Sequence, residues 1–460
     1  MAAAPSINSL PYEVRQIIHS LVGRQTDSHR WFGESTSSAA PYATVSREWQ
    51  EEYERFSFRE LWVTPQRLES FTRIVASPRR RGIVQTICFH VPLETYERHQ
   101  DGEQETSPER RRSTDILNTA LGSFFQAMTL WEKSDTSPLG LDLHLLIDSP
   151  SDSSELLGNN GTPLVTGRGL TSYVKLDLDT LSLPEIDAFS GFRCSGRHLQ
   201  PTSLLAIISK LQALEYLDIE LSHDSMRPRD VKQRNKFALG LEQHAETVRV
   251  LSLRRPSPML VPSPGPPRQP WSDFHVKIRN FSQQCESFEF DDCIDAAQFF
   301  APFLLGGSPT SSQTQTQDQG QDQSESPSQQ HRAALLPPPF WSRLKRLNIR
   351  NSYMMKEPYL RVASRIEALT SVHSVFVAIG RAAYHMPELQ FARVCQYVLN
   401  DGRLEWFVLT YECYAGKATL RIRGFAPAQV MVDAWRHSIA SKRLECEIHV
   451  ETIDPTAPEG

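Results

Sequence analysis

The chain has 460 residues, of which 39% are hydrophobic and 22% are charged, and its formal net charge is −5 at pH 7. This length is ample for a large core, and the modest charge excludes a strong general attraction to nucleic acid or to anionic lipid. No apolar run approaches the length of about 18 residues that a membrane-spanning helix needs, so we expect no membrane partner.

The cysteines and the first residues indicate an intracellular protein. The chain contains seven cysteines, an odd number, and no Cys-x-x-Cys pair. This pattern predicts buried free thiols in a reducing compartment, with neither disulfides nor a zinc site. The start, Met-Ala-Ala-Ala-Pro, is too short and uncharged for a signal peptide. We therefore expect the cytoplasm or the nucleus.

Residues 9–63 carry the most informative pattern in the chain. Apolar residues recur there at helical spacing, which predicts a first helix with one apolar face: Leu10, Val14, Ile17, Ile18 and Leu21. Pro11 suits the start of that helix, because its missing N–H would have no partner there. A second helix carries Val45 and Trp49 one turn apart.

The ordered set Leu-Pro-x-Glu-Val, Ile-Ile-x-x-Leu and Val-Ser-Arg-x-Trp, beginning at Leu10, resembles an F-box. The gap between its two halves, residues 23–41, is longer than the loop usual in that family. The resemblance implies a helical domain over residues 1–64 that docks on a Skp-type adaptor and through it on a cullin. By residue match, the adaptor-facing side chains are Leu10, Pro11, Val14, Ile17, Ile18, Leu21, Val45 and Trp49. The alternative is a plain pair of helices that covers the end of a larger core.

Residues 65–453 repeat a second pattern, in which a strand follows an amphipathic stretch. The strand pattern has apolar residues at i, i+3 and i+5, and it occurs at 84–89, 173–178, 214–219, 248–253, 285–290, 344–349, 372–377 and 404–409. A less regular strand is predicted at 141–147. The amphipathic stretches lie at 204–211, 237–244, 274–281, 362–366 and 391–399. One such unit cannot bury its apolar face alone, so the units are expected to stack.

The Leu-x-x-Leu-x-Leu spacing of these strands resembles the strand segment of leucine-rich repeats. The resemblance implies an irregular α/β solenoid whose strands are mostly parallel and whose helices cover one side. An ordinary doubly wound α/β sheet is the alternative. No glycine-rich phosphate loop follows any of the predicted strands, which argues against the nucleotide-binding versions of that sheet.

The chain also contains segments that we expect to lie outside the packed repeats. Residues 306–332 are Ser, Gln, Thr and Asp with almost no apolar residue, which predicts a disordered insertion within one domain. Near the end, strands are predicted at 404–410, 418–423 and 444–450, with a hairpin turn at 414–417 and a helix at 427–438. Residues 454–460 are expected to form a flexible tail.

We found no constellation of residues that predicts catalysis. Asp291 and Asp292 could bind a metal, although such a pair more often solvates a loop. Cys446 and His449 lie three residues apart on a predicted strand, so their side chains face opposite sides of it. We therefore do not expect them to bind the same metal ion. The large tryptophans Trp341, Trp406 and Trp435 are interpreted as core anchors. We expect no catalytic residue, no cofactor and no metal, so this chain is not predicted to be an enzyme.

The two resemblances imply one function when they are combined. An F-box followed by a repeat domain is the layout of substrate receptors of cullin–RING ubiquitin ligases, and this chain resembles the divergent F-box proteins of filamentous fungi. Its expected partners are the adaptor, the cullin and a protein substrate whose identity the sequence does not reveal. A non-ligase scaffold that keeps the F-box, and an α/β enzyme with an unrecognised site, remain alternatives.

Overall fold

The computed structural model describes twelve stretches of the chain, and every structural statement below concerns them: residues 47–95, 106–131, 140–151, 155–157, 163–165, 173–221, 228–254, 272–291, 294–304, 338–352, 365–400 and 403–451. These stretches belong to two compact units, residues 1–216 and residues 217–460. Each unit is α/β, and each contains mostly parallel strands in an open sheet. The α/β class and the mostly parallel strands agree with the sequence-based prediction.

The first unit pairs four strands in parallel, in the order β1-β2-β3-β6, beside a separate antiparallel hairpin of β4 and β5. Its strands are β1 (Glu60–Val63), β2 (Thr86–Pro92), β3 (Leu141–Asp148), β4 (Glu155–Leu157), β5 (Pro163–Val165) and β6 (Phe189–Gly196). Its helices are α1 (Arg47–Ser57), α2 (Leu68–Ile74), α3 (Pro78–Arg81), α4 (Ser107–Met128) and α5 (Pro201–Ile208).

The second unit contains eight strands in the order β7 to β14. Its strands are β7 (Tyr216–Glu220), β8 (Val250–Arg254), β9 (Ser287–Asp291), β10 (Arg346–Ser352), β11 (Phe391–Asn400), β12 (Arg403–Tyr414), β13 (Lys417–Arg423) and β14 (Glu445–Glu451). Its helices are α6 (Pro228–His244), α7 (Ser272–Ser282), α8 (Ala296–Phe299), α9 (Ala301–Leu304), α10 (Arg365–Ala383) and α11 (Gln429–Ser441). The strands β8 to β11 are parallel, β12 is antiparallel to both β11 and β13, and β13 and β14 are parallel.

Helices cover one face of the sheet in each unit, because the apolar residues of each strand alternate onto that face. In the first unit Phe89 of β2 stacks on Phe124 of α4, with ring centroids 4.3 Å apart. In the second unit Phe288 of β9 stacks on Phe299 of α8 at 5.3 Å, and Tyr411 of β12 lies 5.5 Å from Trp435 of α11. We call the opposite side of each sheet its open face.

Several predicted elements are confirmed. The strand pattern corresponds to β2, β7, β8, β9, β10 and β12. The first five of these strands begin two residues later than the pattern does, whereas β12 begins one residue before it. The amphipathic stretches at 204–211, 237–244 and 274–281 fall in or overlap α5, α6 and α7. The predicted hairpin turn is also present, with Ala415 and Gly416 at positive φ values of 49° and 82°. Trp341 and Trp435 are fully buried, as expected of core anchors.

Two predicted elements near the end have the wrong type. Residues 372–377, predicted as a strand, lie within α10, where Val372, Val375 and Phe376 are buried at helical spacing. Residues 391–399, predicted as an amphipathic helical stretch, form β11, in which Ala392 and Val394 face the core in alternation. Short apolar runs fit both the helical period of 3.6 residues and the strand period of two, so tertiary packing decided whether each run became a helix or a strand.

Three more differences concern the first unit. Residues 173–178 form only an isolated bridge between Val174 and Leu199 instead of a strand. The strand β6 and most of α4 were not predicted. The helix α4 begins with a capping box, in which Thr106 accepts from the backbone of Glu109 while the Glu109 carboxylate accepts from Thr106.

The predicted insertion at 306–332 and tail at 454–460 lie outside the described residues.

The cysteines agree with the thiol prediction in part. Cys88, Cys194, Cys285 and Cys395 are buried free thiols. Cys446, by contrast, is exposed on the edge strand β14, and Cys413 is half-buried. Cys293 lies outside the described residues.

Candidate functional site

Among the adaptor-facing residues that the F-box resemblance implies, only Trp49 lies within the described part of the chain. It occupies the first turn of α1 and is half-buried. The remaining seven lie outside it: Leu10, Pro11, Val14, Ile17, Ile18, Leu21 and Val45. The predicted grouping of these side chains on one helical surface therefore stays a prediction.

The helix that carries Trp49 is anchored to the first unit. The Trp49 ring stacks on that of Tyr53 at 5.3 Å, and Tyr53 is fully buried. Glu54, the residue after Tyr53, accepts a hydrogen bond from Arg80 Nη2 at 2.8 Å. Burial alone would raise the pKa of Glu54, but the hydrogen bonds from Arg80 and Gln50 hold it below its usual value. The second helix of the predicted F-box thus packs on the sheet-bearing unit.

The open face of the first unit carries a row of polar contacts that crosses four strands. Trp62 Nε1 donates to Glu60 Oε1 at 2.9 Å, and the thiol of Cys88 lies 3.7 Å from the same oxygen. Cys88 Sγ is also 3.9 Å from His144 Nδ1, and His144 Nε2 is 2.7 Å from Ser195 Oγ. Parallel register brings these side chains together, since Trp62, Cys88 and His144 are aligned across β1, β2 and β3.

This row contains the thiol–imidazole pair that cysteine nucleophiles use, but its surroundings favour a structural role. Cys88 is only 3% exposed, and a carboxylate beside a thiol disfavours the thiolate that would attack a substrate. Within the ranges that the structure describes, no three His, Cys, Asp or Glu side chains are grouped closely enough to hold a metal ion. The row therefore gives no support for catalysis.

The open face of the second unit is mostly charged, and many of its charges are paired between neighbouring strands. Asp218 of β7 is almost fully buried and accepts from Arg254 Nε of β8 at 2.8 Å. The basic residues on β13 all face carboxylates: Lys417 is 3.2 Å from Glu447, Arg421 is 3.5 Å from Glu412, and Arg423 is 3.1 Å from Glu451. Exposed pairs of this kind contribute little to stability, but they neutralise the surface locally.

The strands β10 and β11 differ from their neighbours because they carry basic residues and no acidic ones. The exposed side chains of Arg346 and Arg350 lie on the open face of β10, and the half-buried Arg393 lies on that of β11. In the described part of the chain, neither Arg346 nor Arg350 forms an ion pair. We call these three residues the arginine strip.

A different kind of cluster lies on the helix-covered face near the end of the chain. Lys442, which follows α11, places its ammonium 5.5 Å from the centroid of the Tyr411 ring. Its Nζ is buried and has no hydrogen-bond partner within the described ranges. Burial lowers the pKa of Lys442 to about 8 and raises the pKa of Tyr411. A neutral lysine is a nucleophile, but here the amine is shielded from solvent, so the cluster affects stability rather than chemistry.

Comparisons with known proteins do not assign the chain to a family: no family model, no curated protein and no solved structure matches it. Within the described ranges, no helix is both long enough and apolar enough to cross a membrane. Sequence reasoning missed both the row of polar contacts and the arginine strip. The alternation of inward- and outward-facing residues along each strand could be predicted from the sequence, but the register that aligns neighbouring strands could not.

Proposed function

We propose that this chain is the substrate-recognition subunit of a cullin–RING ubiquitin ligase of the SCF type. The observation that carries the proposal is the ordered set of F-box-like residues from Leu10 to Trp49, followed by repeated helix and strand units. The finer interpretation of the fold, a leucine-rich-repeat-like solenoid after an F-box, belongs to the same proposal. The charged open face of the second unit supports it, since such a face offers the polar groups that a protein partner requires.

In this proposal the chain makes and breaks no bond. The apolar face that includes Leu10, Ile17 and Trp49 docks on the Skp-type adaptor, and the adaptor connects the chain to the cullin. The repeat domain holds a protein substrate, whose lysines then lie near the charged conjugating enzyme. The rate increase comes from effective concentration and orientation, because tethering converts a bimolecular encounter into an intramolecular one.

The test is co-purification of the full-length chain with a Skp-type adaptor and a cullin. We expect the double variant Leu10→Ala and Pro11→Ala to lose the adaptor, because both truncated side chains belong to the proposed docking face. Leu239→Ala, which truncates an exposed leucine of α6, is the matched control and should keep the adaptor. Circular dichroism checks that each variant remains folded.

The outcomes separate the proposal from its alternatives. Retained binding by the folded double variant would remove the main support for an F-box, and so would a parent chain that binds no adaptor. An adaptor complex that never includes the cullin would favour a non-ligase scaffold.

A further inference from the structure

The last strand of the second unit, β14, has one paired edge and one free edge. Within the described ranges its only neighbouring strand is β13, to which it is parallel. The N–H of Glu445 donates to the carbonyl of Gly416 at 3.2 Å, so the backbone groups of Glu445 and of every second residue after it point to β13. The N–H and C=O groups of the intervening residues, Cys446, Ile448 and Val450, therefore point to the free edge.

The free edge is accessible along the whole strand. Every residue of β14 is exposed except Ile448, which is half-buried. Among the described residues, the hydrogen bonds and ion pairs of β14 go to residues 416–423 or to β14 itself. A strand edge that presents its backbone groups in this way is a template on which another strand can pair.

The strand β14 is suited to antiparallel pairing with a second copy of itself about a two-fold axis at Ile448. In this register all seven residues have partners: Ile448 opposes Ile448 of the second copy, and Cys446 opposes Val450. These are the residues whose backbone groups point to the free edge, so they form the hydrogen-bonded pairs of the new ladder, and each pair exchanges two bonds. Val450, which is 45% exposed, would also lose apolar surface to its neighbour.

The side chains on the opposite face of β14 favour a second copy over an arbitrary strand. The register places Glu447 opposite His449 of the second copy, and the two-fold axis repeats this pair. Both residues belong to non-hydrogen-bonded pairs, in which opposing side chains lie closest. An imidazole N–H can donate to a carboxylate, and within one copy His449 Nε2 lies 3.8 Å from Glu447 Oε2. The unfavourable pair is Glu445 with Glu451, and there Arg423 Nε lies 3.1 Å from a Glu451 oxygen and offsets its charge.

We propose that two copies of this chain associate by antiparallel pairing of their β14 strands about a two-fold axis at Ile448. The sheet of the second unit then continues from one copy into the other. Because each copy contributes the same strand, the assembly closes at two copies. The pairing uses none of the residues proposed to bind the adaptor, so it does not rest on the proposed ligase function.

The experiment is sedimentation velocity of the full-length chain over about 1 to 100 μM, because mass action reveals a dimer as concentration rises. A reducing buffer prevents disulfides through the exposed Cys446. We expect a monomer of 52.3 kDa at the lowest concentration and a species of twice that mass at the highest.

Two substitutions at Ile448 test the backbone pairing. Ile448→Pro removes an N–H that points to the free edge and spares the bonds to β13, which come from the alternate residues. It should weaken dimerisation by at least about tenfold, because one bond is lost from each copy. Ile448→Val keeps the N–H and is the matched control, which should change dimerisation by less than about twofold.

Substitutions at Glu447 and His449 test the register. His449→Glu places a carboxylate opposite Glu447 at both symmetry-related positions, so dimerisation should weaken by at least about tenfold. Adding Glu447→His to that variant exchanges the two residues and restores an imidazole opposite a carboxylate. Dimerisation should then return to within about threefold of the parent.

Three results would overturn the proposal. The first is a chain that stays monomeric at the highest concentration, and the second is a dimer that folded Ile448→Pro leaves intact. The third is a defect of His449→Glu that the exchange of the two residues does not repair. Circular dichroism checks that each variant is folded, and if Ile448→Pro does not fold, His449→Glu and the exchanged variant decide the question.

Discussion

Replacing Lys442 by Met tests the energetic cost of the buried amine beside Tyr411. Methionine has nearly the same length and no charge, so it keeps the packing and removes the group that has no hydrogen-bond partner in the described ranges. The pKa of Lys442 falls from 10.5 to about 8 on folding because burial disfavours the charged form. At about 1.4 kcal/mol for each tenfold change, this shift costs the folded chain about 3 kcal/mol at neutral pH.

The pH dependence of this cost has a definite sign. Below pH 8 the amine is protonated in both the folded and the unfolded chain, so the full cost is present. Between pH 8 and 10.5 the folded chain loses the proton first, and the cost disappears as the pH rises. We therefore expect Lys442→Met to raise the free energy of unfolding by about 3 kcal/mol at pH 7 and by much less at pH 10.5.

The assay is urea unfolding followed by tryptophan fluorescence, with parent and variant compared at each pH from 7 to 10.5. The quantity compared at each pH is the difference in the free energy of unfolding between parent and variant. Burial also raises the pKa of Cys285 to about 12 and raises the pKa of Tyr411. Because both groups remain in the variant, their effects on stability cancel in this difference. Lys417→Met is the control, since Lys417 is exposed and paired with Glu447, and it should leave the free energy of unfolding nearly unchanged. A variant that is less stable than the parent at pH 7, or whose gain does not shrink as the pH rises, would refute the argument.

Two further variants test the packing of each unit. Gly380→Ala should lower the free energy of unfolding by about 1–3 kcal/mol in the same urea assay, because a Cβ at Gly380 would lie 2.8 Å from the Trp435 ring; an unchanged urea midpoint would show that α10 and α11 do not pack this closely. Arg80→Met should lower it by about 2 kcal/mol at pH 7, because it leaves the carboxylate of Glu54, only 5% exposed, without its cation. The pKa of Glu54 is lowered on folding, so this loss should be present above pH 4.5 and should fade at lower pH as the carboxylate protonates. A loss that is the same at pH 7 and pH 3 would contradict the assigned ion pair.

The sequence alone determined the elements whose apolar spacing fits only one type of secondary structure. The repeated strands match β8 and β9 because Leu251, Leu253, Phe288 and Phe290 alternate toward a core that helices cover. The turn at 414–417 was predictable because a glycine tolerates the positive φ that joins β12 and β13. These features depend on local periodicity and backbone sterics, which a short stretch of sequence contains in full.

Only the tertiary structure decided the features that depend on neighbours. Residues 372–377 and 391–399 fit both helical and strand spacing, and packing against α11 and β12 made the first a helix and the second a strand. The arginine strip forms because register aligns Arg393 with Asn348, which lies 45 positions earlier in the chain. The cost of Lys442 likewise depends on burial against Tyr411. Register and burial are relations between distant segments, so no local pattern determines them.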